Sequence, residues 1–351
     1  MGLLQRTIDH IGLLNQDAMM QASARLDSLT HPPGSLGRLE ELAIQLAGIR
    51  GEARPTFPRK AVIVMAGDHG VTEEGVSPYP QEVTAQMVLN FLAGGAGINV
   101  LARRAGARVV VTDIGVAWEL PDHKDLRKRR IANGTRNMAR EPAMSRDEAV
   151  RSIETGIEVF QVELDKGLDL VATGEMGIGN TTPSSAITAV ITGKPVKEVT
   201  GRGTGVDDAG FQRKISVIEK AIRHNAVNAS DPLDVLAKVG GYEIGGLAGV
   251  ILGAAAARVP VLIDGFISGA AALIAAEIKP ESKMFMIASH SSVECGHRII
   301  LDYLDLKPLL QLDLRLGEGT GAAIAMKLVD DAVAIRDEMA TFADAGVSNK
   351  D

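Results

Sequence analysis

The run Leu314 to Ala323, LRLGEGTGAA, sets one carboxylate, Glu318, between Gly317 and Gly319, where an alternating apolar segment meets a small-residue helix. An acid between glycines at a strand-to-helix corner reads as well exposed, on a backbone that a ligand can approach closely. Packing gives no reason for a glutamate there, so the expected chemistry is proton removal by Glu318 at the rim of an α/β sheet. Two glycine-rich turns offer complementary chemistry. Gly174 to Thr182 (GEMGIGNTT) and Gly201 to Gly205 (GRGTG) each precede a helix, and free N–H groups at helix starts bind phosphate. Neither has the Gly-Lys-Ser/Thr ending of a P-loop or the spacing of the dinucleotide fingerprint. Either one alone is equally a structural turn. Together on one sheet edge they point to a single phosphate or ribose phosphate, with Arg202 and Lys214 as nearby charges that serve equally well as solvated surface.

Other reactive residue types carry less. Asp207-Asp208 follows a glycine turn rather than a strand, which suits helix capping better than metal–pyrophosphate binding. His290, Cys295 and His297 lack metal-ligand partners at zinc-like spacing, so no metal site is expected. His69 beside Asp68 suits an acid–base pair or a loop-fixing hydrogen bond. The scattered methionines read as core filler.

These residues need a scaffold. KAVIVM (Lys60 to Met65) is a continuous apolar run, as expected of a strand buried on both faces. Further strands are expected at Arg108 to Thr112, Leu168 to Ala172, Val259 to Ile263, Lys283 to Ala288 and Leu309 to Leu316. Helical patterns lie between them, at Glu82 onward with a break at Gly94-Gly95, Glu148 to Asp165, Phe211 to Asn225, Pro232 onward and Ile244 to Ala257. Thr181 or Thr182 is expected to cap a helix whose first residue is Pro183. The N-terminal residues Gln5 to Ile49 read as helices, with Ser35 as a cap after the Pro32-Pro33-Gly34 break. Lys124 to Arg140 reads as a basic surface loop. Strands alternating with helices predict an α/β fold with a doubly wound, mainly parallel sheet. In such a sheet ligands bind at the carboxyl ends of the strands, where this chain has Asp68, Asp113, Glu175, Asp264, His290 and Glu318.

Composition narrows the class of partner. A net charge of −7 over 351 residues argues against nucleic acid or an acidic membrane surface, and 3% aromatic content argues against base-stacking platforms. The apolar region Ile244 to Ile278 is broken by Arg258, Pro260 and Asp264, so it reads as buried elements rather than a membrane span. One cysteine, Cys295, fits a reducing compartment, and with no signal sequence a cytoplasmic protein is expected.

Several motifs are long enough to carry a resemblance. PPGSLGRLE, AGDHGV, YPQEVT followed by QM, GTRN, PAMS, GEMGIGNTT, GRGTG, the SH-x-S-x-E-x-GH run and LRLGEGTGAA occur in order from Pro32 to Ala323. In these the chain resembles the nicotinate-nucleotide:dimethylbenzimidazole phosphoribosyltransferases of cobalamin lower-ligand synthesis. The resemblance implies transfer of 5-phosphoribose from nicotinate mononucleotide to a benzimidazole nitrogen, with no cofactor. It implies Glu318 as general base and Glu175 as a second active-site carboxylate. Ser77, Tyr79, Gln86 and Leu316 would form the acceptor-base pocket. Gly177, Gly179, Asn180, Thr181, Gly203, Lys214 and Ser291 would form the nucleotide and phosphate side. The implied architecture is a Rossmann-like large domain (56–324) and a smaller helical domain from both chain ends (1–55 with 325–351), in a homodimer. Two alternatives stay open: phenols, purines or other benzimidazoles as acceptor, and a non-catalytic nucleotide-binding protein on the same fold.

Overall fold

In the computed structural model, which describes residues 2–203 and 205–348, the Lys60 run becomes the centre of the sheet. It forms β1 (Lys60–Gly67), buried along its whole length. The remaining strands are β2 (Ala107–Gly115), β3 (Leu126–Lys128), β4 (Leu170–Met176), β5 (Val261–Ile263) and β6 (Met286–Ala288). Their order is β3-β2-β1-β4-β5-β6 and every pairing is parallel. This is the expected Rossmann-like, doubly wound α/β arrangement. The strand order reverses between β1 and β4, so the ligand crevice belongs at their carboxyl ends.

Alternation along β1 explains the two covered faces. Ala61, Ile63 and Met65 enter one hydrophobic core, and Val62, Val64 and Ala66 enter the other. The N-terminal helices are α1 (Leu3–Asp9), α2 (Gln16–Asp27) and α3 (Arg38–Arg50); after β1 come α4 (Val83–Ala93) and α5 (Gly97–Ala105). Next are α6 (Arg146–Asp165), α7 (Thr181–Thr192), α8 (Val196–Val199), α9 (Asp208–His224) and α10 (Pro232–Val239). Then come α11 (Tyr242–Ala256), α12 (Phe266–Ile278), α13 (Cys295–Leu304), α14 (Thr320–Glu338) and α15 (Phe342–Ala345). Helices α6 and α11 pack backbone to backbone. A methyl at Gly249 would run into the Ile153 carbonyl, and one at Gly156 into that of Gly246. On the opposite core, α3 packs on α2 and α14, so helices from both chain ends meet there. Met1 and 349–351 of the expected small domain, and Thr204 of the second glycine turn, lie outside the described residues.

Helix starts follow local chemistry. Ser145 and Glu148 form a reciprocal capping box on α6; Asp231 caps α10, with Pro232 in its first turn. Asp207 caps α9 through the N–H of Gly210, as the capping reading expects.

Five expectations are corrected. Leu309 to Leu316 is not a strand. Leu309 and Leu310 donate backbone bonds to Ala288 and Ser289, but Asp313 at φ 53° then turns the chain out of the ladder. Of Lys283 to Ala288, only the end is strand, because a 3-10 turn (Pro280–Phe285) takes the rest. The basic segment Lys124 to Arg140 holds β3, since Leu126 buries against the sheet edge and the flanking charges stay in water. Ser35 does not cap: Gly37 occupies the cap of α3, and the Glu40 carboxylate reaches back to the N–H groups of Gly34 and Leu36. Helix α7 starts at Thr181 after Asn180, so Pro183 is its third residue, still within the turn where an N–H has no helical partner.

Candidate active site

The carboxyl ends of β4, β5 and β6 open onto a cavity of about 700 Å³. From β4 and the start of α7 come Glu175, Gly177, Gly179, Asn180 and Thr181; from the β5 end come Asp264 and Gly265. The β6 loop adds His290, Ser292 and Glu294, and the segment before α14 adds Arg315, Leu316, Gly317 and Glu318. Ser77 and Tyr79 close one side with Val83 and Met87 of α4.

Glu318 is buried, at 6% exposure, which corrects the expectation of an exposed acid. The amino end of α5 causes this, because Ile98 N–H donates to Glu318 Oε2 at 3.0 Å. Oε1 has no hydrogen-bond partner among the described residues and belongs to the cavity side. Burial raises the Glu318 pKa, with the Ile98 N–H pulling it back in part. Its backbone is unusual. Gly317, Glu318 and Gly319 have φ of 80°, 64° and 96°, three left-handed residues in succession. Two buried acids hold that turn. Glu175 Oε1 accepts from Glu318 N–H at 3.2 Å, while Asp264 accepts from Gly319 N–H at 3.2 Å and Ala322 N–H at 2.9 Å. Packing as well as φ asks for glycine on both sides of Glu318. A methyl on Gly317 would meet Glu175, and one on Gly319 would meet Val62 beneath the site.

Burial raises Glu175 to about 7, against the bonds from Asn180 and Glu318 that favour its charge. Asp264 is also raised to about 7 by burial, which the backbone N–H groups of Ala322 and Gly319 oppose. His290 stays neutral, its pKa lowered by burial to about 4. Beyond the glycine turn, Lys214 is buried, and Nζ lies 2.7 Å from Thr181 Oγ1 and 3.4 Å from the Gly201 carbonyl. Burial lowers it to about 8, with Glu294 acting in the opposite sense. A side chain on Gly203 would come within 3.3 Å of Nζ, so the second glycine turn is folded directly over the ammonium.

The structure thus brings Glu318, Glu175, Ser77, Tyr79, Leu316, Gly177, Gly179, Asn180, Thr181 and Gly203 to one cavity, with Lys214 immediately behind. Two expected residues are not on its wall. Gln86 is exposed on α4, where the cavity face is Val83 and Met87, four residues apart; Gln86 is about 60° from Val83 and about 100° from Met87 around the helix. Ser291 gives its place to Ser292 and His290, the neighbours that the loop turns inward. Arg202 is turned away, paired with Asp208 and lying over the Phe211 ring. His69 pairs not with Asp68 but with buried Glu243, at 2.8 Å, off the cavity wall. Asp264 and His290 were legible as acids and bases at strand ends; that they belong to the site follows only from folding. Among the described residues no group of three His, Cys, Asp or Glu side chains is disposed to hold a metal ion.

The phosphoribosyltransferase family profile matches residues 11–347. The chain is 63% identical to the nicotinate-nucleotide–dimethylbenzimidazole phosphoribosyltransferase of Chloroflexus aggregans over 350 residues, covering 100% of this chain and 99% of that protein. It is 60% identical to the enzyme of the same name from Desulforudis audaxviator, over 99% of each chain. The crystal structure of CobT from Thermus thermophilus superposes with a TM-score of 0.92 at 48% identity, covering 95% of this chain and all of that one.

Proposed function

This chain belongs to the phosphoribosyltransferase family, and on that premise we propose that it transfers 5-phosphoribose from nicotinate mononucleotide to 5,6-dimethylbenzimidazole. The products are nicotinate and α-ribazole 5′-phosphate, the nucleotide of the cobalamin lower ligand. The observation that carries the reading is Glu318: a buried carboxylate with one oxygen held by Ile98 and the other free, on the wall of a cavity that also receives a helix start backed by Lys214.

The roles follow from that placement. The backbone at Gly177 to Thr181, with Lys214 behind it, takes the donor phosphate. Ser77, Tyr79, Met87 and Leu316 supply the wall for the flat acceptor. A benzimidazole nitrogen attacks C1′ from the face opposite the pyridinium. The new C–N bond forms as the old one breaks, its electron pair returning to the nicotinate ring, and the β-nucleotide becomes an α-product. Glu318 takes the proton from the other benzimidazole nitrogen, a contribution of about 10²–10⁴-fold in rate. Holding both rings on opposite sides of one ribose supplies a further large part, about 7–11 kcal/mol in well-oriented systems. Glu175, as the carboxylate, stabilises positive charge developing on the ribose and secures the Glu318 backbone.

Mixing nicotinate mononucleotide with dimethylbenzimidazole and the protein should release nicotinate; no release would sink the proposal. Competition between dimethylbenzimidazole, other benzimidazoles, purines and phenols then identifies the native acceptor. Glu175 adds a pH test. Its pKa of about 7 means that acidification removes the working carboxylate, so kcat/KM should climb as pH rises through 7. Glu175→Gln should slow turnover and change that limb by removing the Glu175 contribution, leaving the ionisation of Glu318. If the variant loses only thermal stability and keeps the profile, Glu175 is structural.

A homodimer completes this reading. The stretch Val83–Ala105 is as apolar as a membrane span yet only 33% buried, and it is split at Gly94 into α4 and α5. Leu89, Val100, Tyr79 and Leu316 are exposed on or near it, and Tyr79 and Leu316 also line the cavity. A second copy seated there would cover them and close the acceptor end. Small soluble substrates and net charge −7 fit action in the cytoplasm on neither nucleic acid nor membrane. Residues 1–55 with 325–351 are read as the smaller helical domain beside this site.

A further inference from the structure

Two residues at the end of β6 fix where an imidazole carries its proton. The Ser289 hydroxyl donates to the Ile263 carbonyl at 2.7 Å, an atom that can only accept. With its one proton used there, Ser289 Oγ meets His290 Nδ1 at 3.0 Å as the acceptor. The ring proton therefore sits on Nδ1, and Nε2 keeps a bare lone pair. The first turn of α14 locks the ring from the Nδ1 side, since a methyl on Gly321 would run into that atom. The Cε1–Nε2 edge faces Gly265, and both residues line the cavity. Nothing among the described residues donates to Nε2.

Three of the remaining cavity carboxylates already have backbone or side-chain partners, and Glu294, whose buried Oε2 has none, is drawn to the ammonium of Lys214 behind the glycine turn. Glu318 holds Ile98 N–H; Glu175 holds Asn180 and Glu318 N–H; Asp264 holds Gly319 and Ala322 N–H. On the substrate side, the phosphate and the nicotinate carboxylate have no proton to give at neutral pH, and the benzimidazole N–H goes to Glu318. The donors left over are the ribose hydroxyls. Resting on the phosphoribosyl-transfer reading, we infer that His290 Nε2 accepts a hydrogen bond from a ribose hydroxyl of the donor nucleotide, and that Ser289 is the positioning residue that keeps the ring in the accepting tautomer. A donor lacking that hydroxyl leaves a buried acceptor unpaired, which is how a site rejects an analogue strongly.

The test compares nicotinate mononucleotide with its 2′-deoxy and 3′-deoxy analogues in the full-length wild type, His290→Phe and Ser289→Ala, by nicotinate release. Wild type should prefer the ribose donor over one analogue by on the order of 10²-fold or more in kcat/KM, and the analogue concerned names the hydroxyl. In His290→Phe that ratio should collapse to within about a few-fold, because only the ribose donor loses a partner. Ser289→Ala should lower it part of the way. Nitrogen NMR of the ligand-free wild type should show His290 protonated at Nδ1 and bare at Nε2, a signature lost in Ser289→Ala. Should His290→Phe not fold, Ser289→Ala and the NMR signature decide. A ratio unchanged in the variants, no preference for ribose over either analogue, or a proton on Nε2 overturns the inference. A wild type that releases no nicotinate overturns both readings, whereas normal release with unaltered discrimination overturns this one alone.

Discussion

Glu318→Gln is expected to lower turnover by about 10²–10⁴-fold while nicotinate mononucleotide still binds at near wild-type affinity. The substitution isolates the proton. Glutamine keeps an oxygen to accept from Ile98 N–H, keeps the volume, and has the same β-carbon in the left-handed backbone at φ 64°. It adds no strain that the glutamate does not already carry. What it cannot do is accept the proton of an incoming ring N–H. The loss should appear in kcat and kcat/KM alike, because the proton moves only in the transition state. It should also shrink for acceptors whose ring N–H is more acidic, since these need the base less. Single-turnover nicotinate release, paired with a binding titration of the nucleotide, measures both halves. A variant within a few-fold of wild type would remove the base assignment, and one that fails to bind nucleotide would place Glu318 on the donor side.

Which parts of this were legible in the chain depended on how local each cause is. Strand β1 announces itself, because a strand covered on both faces must be apolar through its interior, and Ala61 to Ala66 are, with Lys60 at the start pairing its ammonium with Asp330. The alternation from Leu309 to Leu316 has the period of a strand but not its cause. Leu312 and Leu316 stay 51% and 61% exposed, so nothing buries an alternate face and the backbone is free to turn at Asp313. Glu318 was legible as an odd residue between glycines, but its burial was not. The N–H that covers it belongs to Ile98, 220 positions away. Gln86 and Ser291 were each misplaced by one residue from Met87 and Ser292, an error of phase on a helix and a loop whose inward faces only packing defines. The proton on His290 is beyond sequence altogether, because it depends on Ser289 meeting a carbonyl of β5.

The second large effect separates two glycines that look alike in the chain. Gly319→Ala should destabilise the fold by roughly 2–5 kcal/mol, from the cost of a left-handed alanine and from overpacking. Its new methyl would stand 2.6 Å from Val62 Cγ1 and 3.2 Å from the Thr173 carbonyl, and β1 and β4 are rigid neighbours that cannot give way. Thermal unfolding should show this as a drop of several degrees, with whatever folded protein remains still turning over. Gly317→Ala shares the backbone cost at φ 80°, but its methyl would meet Glu175 Oε1, the far end of a side chain that can rotate. Rotation costs little stability. It does take Glu175 away from the Glu318 N–H that it accepts at 3.2 Å, so the rate should fall more steeply than the melting temperature. The expected pattern is a crossing: position 319 moves stability most, position 317 moves turnover most. Should both variants fold normally and lose only affinity for dimethylbenzimidazole, the glycines would be clearance for the acceptor after all. The left-handed turn would then have no part in holding the base, and the three successive positive φ angles would need another cause.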